Sequence, residues 1–326
     1  MKSVKLGRTG LRISQVVLGS MQLGWLVRED DAMDLLDAAF DAGITTIDTA
    51  DIYSKWAEES YAGKSEQIIG RWLEERGIRD EVVLATKVRG EISNNPNDVG
   101  LSRKHILEAV DGSLDRLRTD WIDIYWSHWP DPDVTQEETL RALTKLVDDG
   151  SVHYIGASNH NAAELMESLW VSDKYGLARY DALQPSYSLA RRRDFEKYLE
   201  PVVKKYNLGV TSYSPLGGGF LTGKYSKEET PDSKRAETTK QRYYKERNFR
   251  ILDTLEEISE DLDATIPQIA LAWVLNRESI TAPIIGVNSK EQLEENIEAI
   301  ELDISDDAIH ELNEASDWRE LDELAR

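Results

Sequence analysis

The sequence has no cysteine among its 326 residues, few histidines and prolines, and no long hydrophobic run. Without cysteine, disulfides and thiolate chemistry are excluded. Only 20 glycines and 9 prolines, beside 40% hydrophobic residues, indicate a folded globular chain instead of a collagenous or disordered one. No stretch approaches the ~18 apolar residues of a membrane helix, and the opening MKSVKLGRTGLRISQ lacks the apolar run of a signal peptide. We therefore expect a cytoplasmic protein.

Basic residues are outnumbered: 39 Lys and Arg stand against 61 Asp and Glu, a net charge of −22. This charge makes nucleic acids and anionic membranes poor partners, and an anionic ligand would need a local basic or amide-lined pocket. The acids are spread through amphipathic segments, so two interpretations stay open. One is ordinary solubility, and the other, which we favour as a hypothesis, is adaptation to a high-salt (halophilic) cytoplasm.

Apolar runs of strand length alternate with segments of helical apolar spacing along the whole chain. Glycine and N-cap residues mark the helix ends, as with Gly77 and with Asn161 followed by Glu164. Strand starts lie roughly 30 to 40 residues apart until a last gap of roughly 70, which is typical of parallel βα units. The predicted strands are Gln15–Leu18, Ile44–Ile47, Val82–Ala85, Ile122–Trp126, Val152–Ile155, Asp181–Leu183, Gly209–Ser212 and Ile280–Ile285.

Eight βα units predict an α/β fold, a closed (β/α)₈ TIM barrel. The alternative, an open doubly wound sheet, usually has a G-x-G-x-x-G turn after its first strand, and none is present here. The pattern around Val4–Ile13 predicts a β-hairpin that caps the bottom of the barrel. We expect one domain over residues 1–326. Residues 226–247 have almost no aliphatic side chains and are predicted to be an inert surface insertion or a mobile flap.

Four reactive side chains stand at or after the ends of consecutive predicted strands: Asp48, Tyr53, Lys87 and His128. In a TIM barrel, these ends meet at the face where the chemistry is built. Each residue alone has a structural explanation, such as a loop cap or a core phenol. Together they predict that a buried lysine beside a carboxylate stays charged and lowers the pKa of the phenol. Such a phenol can act as a general acid or base at a carbonyl or alcohol oxygen.

Motifs along the chain, from about residue 1 to residue 310, resemble those of the aldo-keto reductases. The sequence is most similar to the bacterial and archaeal branch related to potassium-channel beta subunits. A dozen matches in the same order make the resemblance specific. The matches are Asp48-Thr-Ala-Asp-Ile-Tyr53, Gly63-Lys-Ser-Glu66 with Ile69-Gly70, Thr86-Lys87, Asp120-Trp-Ile-Asp-Ile-Tyr125 with His128 and Asp131, Gly156-Ala-Ser-Asn159, Gln184 with Tyr187-Ser-Leu189, Pro215-Leu216, Leu221-Thr-Gly-Lys-Tyr225 and Gly286.

The resemblance implies reduction of aldehydes or ketones by hydride transfer from NAD(P)H. It makes Asp48, Tyr53, Lys87 and His128 the catalytic residues, with Tyr53 as proton donor, Lys87 paired to Asp48, and His128 orienting the carbonyl. It also implies that amide-bearing residues hold the nicotinamide, that glycine amides hold the pyrophosphate, and that the last helices hold the adenosine. The implied cofactor-binding residues are Ser20, Ser158, Asn159, Gln184, Tyr213, Ser214, Pro215, Leu216, Gly217, Gly218, Gly219, Lys224, Arg235, Gly286, Asn288, Gln292, Glu295 and Asn296.

Cofactor choice and substrate are less constrained. Many relatives have Arg or Lys where Asn288, Ser289 and Gln292 stand, and Lys224, Arg235 and Lys290 are candidates to bind a 2′-phosphate in their place. We expect NADPH over NADH. Three tryptophans predicted to rim the mouth favour an apolar, aromatic or sugar carbonyl substrate: Trp25, Trp56 and Trp129. Nothing in the sequence fixes the oligomeric state.

Other functions fit less well. Gly218 to Lys224 matches G-x-x-x-x-G-K, but Tyr225 replaces the Ser or Thr of a phosphate-binding loop. No metal is expected, because there is no HExxH motif. Lys87 could instead form a Schiff base in an aldolase. The resemblance leaves a second alternative, a module that senses a nicotinamide cofactor and turns over slowly.

Overall fold

An antiparallel hairpin opens the computed structural model, which describes residues 1–58 and 60–319. Strand β1 (Ser3–Lys5) pairs with β2 (Arg12–Ser14). The turn needs glycine at Gly7, where φ is +51° and a β-carbon would lie 2.2 Å from the backbone nitrogen of Gly209. Leu6 and Ile13 from the hairpin are buried against side chains of the barrel interior. The predicted hairpin cap is therefore confirmed.

Eight parallel strands close into a barrel in chain order, and the predicted (β/α)₈ TIM barrel is confirmed. Several strands run further at their carboxyl ends than predicted, because backbone pairing continues past the apolar run into the polar residues that follow. The strands are β3 (Val17–Gly19), β4 (Thr46–Asp48), β5 (Val83–Val88), β6 (Ile122–Ser127), β7 (Val152–Ser158), β8 (Ala182–Gln184), β9 (Gly209–Tyr213) and β10 (Ala282–Ile285).

Helices surround the barrel. The expected caps are present: Asn161 and Glu164 form a reciprocal capping box, and Gly77 ends its helix with φ of 64°. Short 3₁₀ helices lie at Arg79–Glu81 and Gly217–Thr222, and a π-helix at Phe195–Leu199. The α-helices are α1 (Glu29–Asp41), α2 (Lys64–Arg76), α3 (Arg103–Leu117), α4 (Gln136–Asp148), α5 (Ala162–Tyr175), α6 (Glu200–Tyr206), α7 (Ala236–Tyr243), α8 (Glu246–Leu262), α9 (Ile266–Leu275), α10 (Lys290–Glu298) and α11 (Asp306–Ala315).

The barrel interior is filled by apolar side chains, which give the mouth a solid floor. Trp126 is 1% exposed and lies across Gly156, where a β-carbon would come within 2.2 Å of its ring. Ala85, Ile124 and Ile284 complete this packing with residues of the hairpin. Polar groups at the carboxyl ends of the strands therefore rest on a close-packed apolar base.

The segment 226–247 is not an inert surface insertion, so that expectation is wrong. It contains α7, whose Tyr243 is 6% exposed and stacks on Phe220 at a ring distance of 5.7 Å. Thr239, also buried, donates to the carbonyl oxygen of Gly218 at 3.4 Å. Two aromatic residues and one threonine provide the anchoring that aliphatic residues usually give. The mobility of the segment stays a prediction, as does the single domain over residues 1–326, of which 59 and 320–326 lie outside the described residues.

No helix within residues 1–58 and 60–319 combines the length and the apolar character needed to cross a bilayer.

Candidate active site

Two adjacent barrel strands carry the charged pair at the centre of the mouth. Asp48 is the last residue of β4, and Lys87 lies near the end of β5, which pairs with β4 in register. Lys87 is 1% exposed and Asp48 is 3% exposed. Parallel strands place their carboxyl ends at one face, and the two side chains accordingly meet above the apolar floor.

The ammonium of Lys87 has three oxygen acceptors. It forms a salt bridge with Asp48 and donates to the carbonyl oxygen of Thr49 at 2.6 Å. Its third contact is the phenol oxygen of Tyr53, 3.0 Å from Nζ. The other carboxylate oxygen of Asp48 accepts from Nε2 of Gln184 at 2.8 Å. A fully satisfied buried cation is thereby fixed against a phenol that faces the mouth.

The ionisation of this group differs from the sequence-based expectation in one respect. Burial opposes the charge on Lys87, but Asp48 and the Tyr53 oxygen outweigh it and raise the lysine pKa, so the lysine stays charged as expected. Burial also raises the pKa of the Tyr53 phenol, and the attraction of Lys87 compensates only in part. The prediction that Lys87 lowers this pKa below its ordinary value is therefore wrong, because desolvation was not visible in the sequence.

His128 completes the group at the end of β6. Its backbone N–H donates to the carbonyl oxygen of Val88 at 3.0 Å, which fixes it beside β5. Its ring stacks on Trp129 at 3.7 Å and lies 6.1 Å from the ring of Tyr53. Burial, and then the charges of Lys87 and Arg89, hold its pKa well below the usual range. The imidazole is therefore neutral at physiological pH.

A second buried polar cluster, which the sequence did not assign, lies behind the catalytic candidates. Glu66 is fully buried, accepts from Thr86 at 2.6 Å and pairs with Arg116 at 2.7 Å. Asp51 is also fully buried, and neither of its carboxylate oxygens has a hydrogen-bond partner in the described residues. Burial and the nearby Glu66 raise the pKa of Asp51 well above its ordinary value. Gly70, in the motif that contains Glu66, lies against the Arg116 backbone.

A groove of about 1660 Å³ crosses the barrel mouth. It is lined by Asp48, Tyr53 and His128, whereas Lys87 is buried and is not among its lining residues. Every predicted cofactor-binding residue except Gly217 lines it as well, and so do the three predicted tryptophans. The structure therefore brings together residues from seven of the eight strand ends, among which Ser20 and Gly286 are 266 positions apart in the sequence.

Hydrogen bonds fix the amide-bearing residues along one side of the groove. Tyr213 donates from its hydroxyl to Oδ1 of Asn159 at 2.7 Å, and Nδ2 of Asn159 donates to the carbonyl oxygen of His128 at 2.9 Å. Ser158 donates to the carbonyl oxygen of Gln184 at 2.9 Å. Asn159 has φ of 59°, which asparagine tolerates better than most residues. These side chains are already ordered by the protein.

The glycine turn after β9 differs from its predicted role. The N–H of Gly217 donates to Ser214 at 2.9 Å, and that of Gly219 donates to Leu216 at 3.0 Å. Those two amides close turns of the chain and do not point freely toward a ligand. Gly218 and Gly219 have φ of 64° and 96°, so glycine is needed here for the backbone path.

Cations without an acidic partner line one wall of the groove: Lys224, Lys234, Arg235 and Arg242. None of them forms an ion pair within residues 1–58 and 60–319. Lys290, an expected contributor, instead pairs with Asp34 at 3.6 Å and is not among the groove-lining residues. The sequence analysis missed Lys234 and Arg242 because, in a long polar segment, the sequence does not show which charged side chains face the groove.

The far end of the groove lies between α8, α9 and α10. Ser289 caps α10, and the side chain of Gln292 accepts from the backbone N–H of Asn288 at 2.9 Å. Ser259 and the turn 263–267 also line this end and were not predicted. No sequence motif marks these residues, because they contribute mainly to the shape of the groove.

A known family matches nearly the whole chain. The Aldo/keto reductase family profile covers residues 15–317. The chain belongs to the aldo/keto reductase family. This confirms the predicted membership, and the family uses nicotinamide cofactors in oxidoreductase reactions.

Curated relatives of this aldo/keto reductase extend along almost its whole length. It is 39% identical over 311 residues to the "Putative voltage-gated potassium channel subunit beta" of Schizosaccharomyces pombe, covering 91% of this chain and 87% of that protein. It is 38% identical over 321 residues to the "Uncharacterized oxidoreductase YrpG" of Bacillus subtilis, covering 96% and 95%. A "Probable voltage-gated potassium channel subunit beta" of Oryza sativa is 34% identical, over 93% and 92%.

Proposed function

We propose that this aldo/keto reductase reduces aldehyde or ketone carbonyls to alcohols, with Tyr53 as the proton donor. The observation that carries the proposal is the position of the Tyr53 phenol: it faces the groove, lies 3.0 Å from the buried ammonium of Lys87 and stands beside the ring of His128. A proton donor, a fixed positive charge and a neutral imidazole are the groups that a carbonyl oxygen needs as it gains negative charge.

The groove fits a dinucleotide cofactor. Its volume of about 1660 Å³ exceeds that of ordinary small-molecule sites, roughly 300–1,000 Å³. Four cations without acidic partners in the described residues line one wall, in a chain whose net charge is −22. A polyanionic ligand would complement this wall. When bound, NAD(P)H supplies the hydride, and Ser158, Asn159, Gln184 and Tyr213 would hold its nicotinamide end.

The protonation states of Tyr53, Lys87 and His128 suit three different roles in the proposed reaction. Tyr53 is protonated because its pKa is raised, so it has a proton to donate throughout the neutral range. Lys87, held charged by Asp48, would stabilise the phenolate that remains after the transfer. His128 is neutral, so its ring can donate a hydrogen bond that orients the carbonyl oxygen.

We also propose that the enzyme prefers NADPH to NADH. The unpaired Lys234 and Arg242 add to the expected Lys224 and Arg235, and together they offer more positive charge than a pyrophosphate needs. An additional phosphate would use that charge. KM values for NADPH and NADH measured under one set of conditions test this preference, and equal or better use of NADH would reject it.

A second candidate function is a cofactor-sensing module with slow turnover. It is favoured by two of the relatives above, which are named as putative or probable potassium-channel beta subunits. The chemistry of the site is the same in both cases, and only the rate differs. We favour the reductase because Asp48, Lys87 and Tyr53 are joined by a salt bridge and a hydrogen bond, and the ring of His128 lies beside that of Tyr53.

Stopped-flow oxidation of bound NADPH, with simple aldehydes and ketones as oxidants, tests the function. We expect Tyr53→Phe to lower the rate by about two to four orders of magnitude while NADPH binds as before. Tyr175→Phe, a partly exposed residue of α5, serves as the matched control and should react like the wild type. Undiminished turnover in Tyr53→Phe would reject its role, and a wild-type enzyme that binds NADPH without reacting would favour the sensing module.

A further inference from the structure

Thr86 and Lys87 are neighbours on β5 and point to opposite faces of the barrel wall. Lys87 reaches into the mouth, where its Nζ lies 3.0 Å from the phenol oxygen of Tyr53. Thr86 faces the helices instead, and its hydroxyl donates to Oε1 of Glu66, in α2, at 2.6 Å. Because successive side chains of a strand alternate between its faces, a bond that fixes the direction of Thr86 also fixes the direction of Lys87.

The end of β5 needs such an anchor because its support from β4 stops early. The ladder between the two strands ends where Asp48 lies opposite Ala85. Past that point the ladder continues on the β6 side, where Lys87 lies opposite Trp126. On the β4 side, the carbonyl oxygen of Lys87 accepts from the N–H of Asp51 at 3.3 Å, which is longer than usual for such a bond. The shorter side-chain bond to α2 therefore adds support where the ladder is weakest.

Glu66 is itself fixed from α3. It is fully buried, and its second carboxylate oxygen pairs with Nε of Arg116 at 2.7 Å. Arg116 packs closely against the start of α2, because a β-carbon at Gly63 would lie 2.3 Å from its Nε. Its Nη2 donates to the hydroxyl of Ser113 at 3.3 Å. The acceptor of the Thr86 hydroxyl is therefore held in place by two helices.

A buried ion pair of this kind is a poor source of stability. Replacing such a pair by apolar residues of similar volume is often neutral or stabilising. The surrounding elements share one apolar core cluster, which includes Ile69 of α2, Leu84 of β5 and Leu117 of α3. Apolar side chains would therefore suffice to join these elements. What the ion pair adds is a charged hydrogen-bond acceptor of fixed position, one residue away from Lys87.

We propose that Thr86 and Glu66 are positioning residues, which hold the Lys87 ammonium at hydrogen-bond distance from Tyr53. The proposal rests on the reductase function above, in which this ammonium stabilises the phenolate that remains after proton transfer. Neither residue is among those that line the groove, so both would act through Lys87 and not on the substrate. A displacement of the ammonium by about 1 Å is enough to slow such a reaction strongly.

Kinetics of threonine variants test the proposal. Thr86→Val removes the hydroxyl and keeps the volume of the side chain, whereas Thr86→Ser keeps the hydroxyl. We expect Thr86→Val to lower the rate of hydride transfer from bound NADPH to an aldehyde by roughly tenfold to a hundredfold. The Kd for NADPH and the KM for the aldehyde should stay unchanged, because only the chemical step depends on the position of Lys87. Thr86→Ser should react like the wild type.

Thr46→Val is the matched control, because it removes another buried threonine hydroxyl from a barrel strand. That hydroxyl accepts from the N–H of Ser14 at 3.0 Å, at the hairpin end of the barrel, and Thr46 is 1% exposed. Both valine variants should melt below the wild type, but only Thr86→Val should lose rate. An equal loss of rate in the two valine variants, or a Thr86→Ser variant as slow as Thr86→Val, would overturn the proposal.

Crystal structures of the same variants give an answer that needs no turnover. We expect the distance from Nζ of Lys87 to the Tyr53 oxygen to exceed about 3.5 Å in Thr86→Val, and to stay within hydrogen-bond range in Thr86→Ser and Thr46→Val. An unchanged distance in Thr86→Val would overturn the positioning role. If the wild type does not oxidise NADPH with any aldehyde, the reductase function fails, and the crystal structures still decide whether Thr86 positions Lys87. If Thr86→Val does not fold, Thr86→Ala removes the same hydroxyl and carries the same expectations.

Discussion

Replacing Lys87 by methionine removes the buried cation and leaves its partner in place. Asp48 is 3% exposed and would keep only its bond from Gln184, so a buried carboxylate would lose its countercharge. Breaking a buried ion pair by removing one partner costs roughly 3–5 kcal/mol. We expect a loss of that size in the free energy of unfolding near neutral pH, although methionine fills much of the lysine volume.

The pH dependence of that loss identifies its cause. Burial already raises the pKa of Asp48, and without Lys87 nothing of comparable size opposes the rise. A carboxyl with a raised pKa in the folded state stabilises the protein fully at low pH, and the contribution is lost as the pH rises through the folded pKa. The deficit of Lys87→Met should therefore be larger at about pH 8 than at about pH 5.

Urea unfolding, followed by tryptophan fluorescence at constant salt, measures these values. Adding Asp48→Asn to Lys87→Met removes the stranded charge and should recover at least about 1 kcal/mol, so the two substitutions are not additive. Strict additivity of the single variants, or a Lys87→Met deficit that does not change with pH, would refute the reasoning.

Four further predictions follow from the same structure. The rate of carbonyl reduction should stay flat through neutral pH and fall only above about pH 10, since the pKa of Tyr53 is raised; a midpoint near neutrality in the pH–rate profile would contradict this. Gly90→Ala should lower both kcat and stability by displacing the loop that carries Tyr53, with a cost of about 1–3 kcal/mol, whereas Gly10→Ala, which meets nothing within 4 Å, should melt like the wild type. Arg242→Gln should raise the Kd for NADPH several-fold in a fluorescence titration, and Lys290→Gln, outside the groove-lining set, should not. The melting temperature should rise between low and molar KCl, and an unchanged value would reject the high-salt hypothesis.

The sequence was sufficient to predict the barrel because its signals are local and repeated. Alternating apolar runs, a glycine such as Gly77 after a helix and a capping box at Asn161 each report a nearby backbone conformation. The same signals placed Asp48 and Lys87 at strand ends. Because parallel strands end at the same face of a barrel, the two side chains could be predicted to lie close together. Strand ends were predicted too early because apolar character stops before pairing does, as in β7, which continues to Ser158.

The parts that sequence did not reveal depend on three-dimensional surroundings. The direction of the Tyr53 pKa shift is set by how far water is excluded, which no spacing of residues reports. The groove-facing side of the 226–247 segment was hidden because Thr239 and Tyr243 anchor it without an aliphatic pattern.

The most direct test of the central claim uses NADPH in which both hydrogens at C4 of the nicotinamide are deuterium, and an aldehyde substrate, with the alcohol analysed by mass spectrometry. We predict one deuterium on the former carbonyl carbon in wild-type product, and formation of this product slowed by orders of magnitude in Tyr53→Phe. An alcohol without deuterium, or an equal rate of labelled product from Tyr53→Phe, would contradict the account.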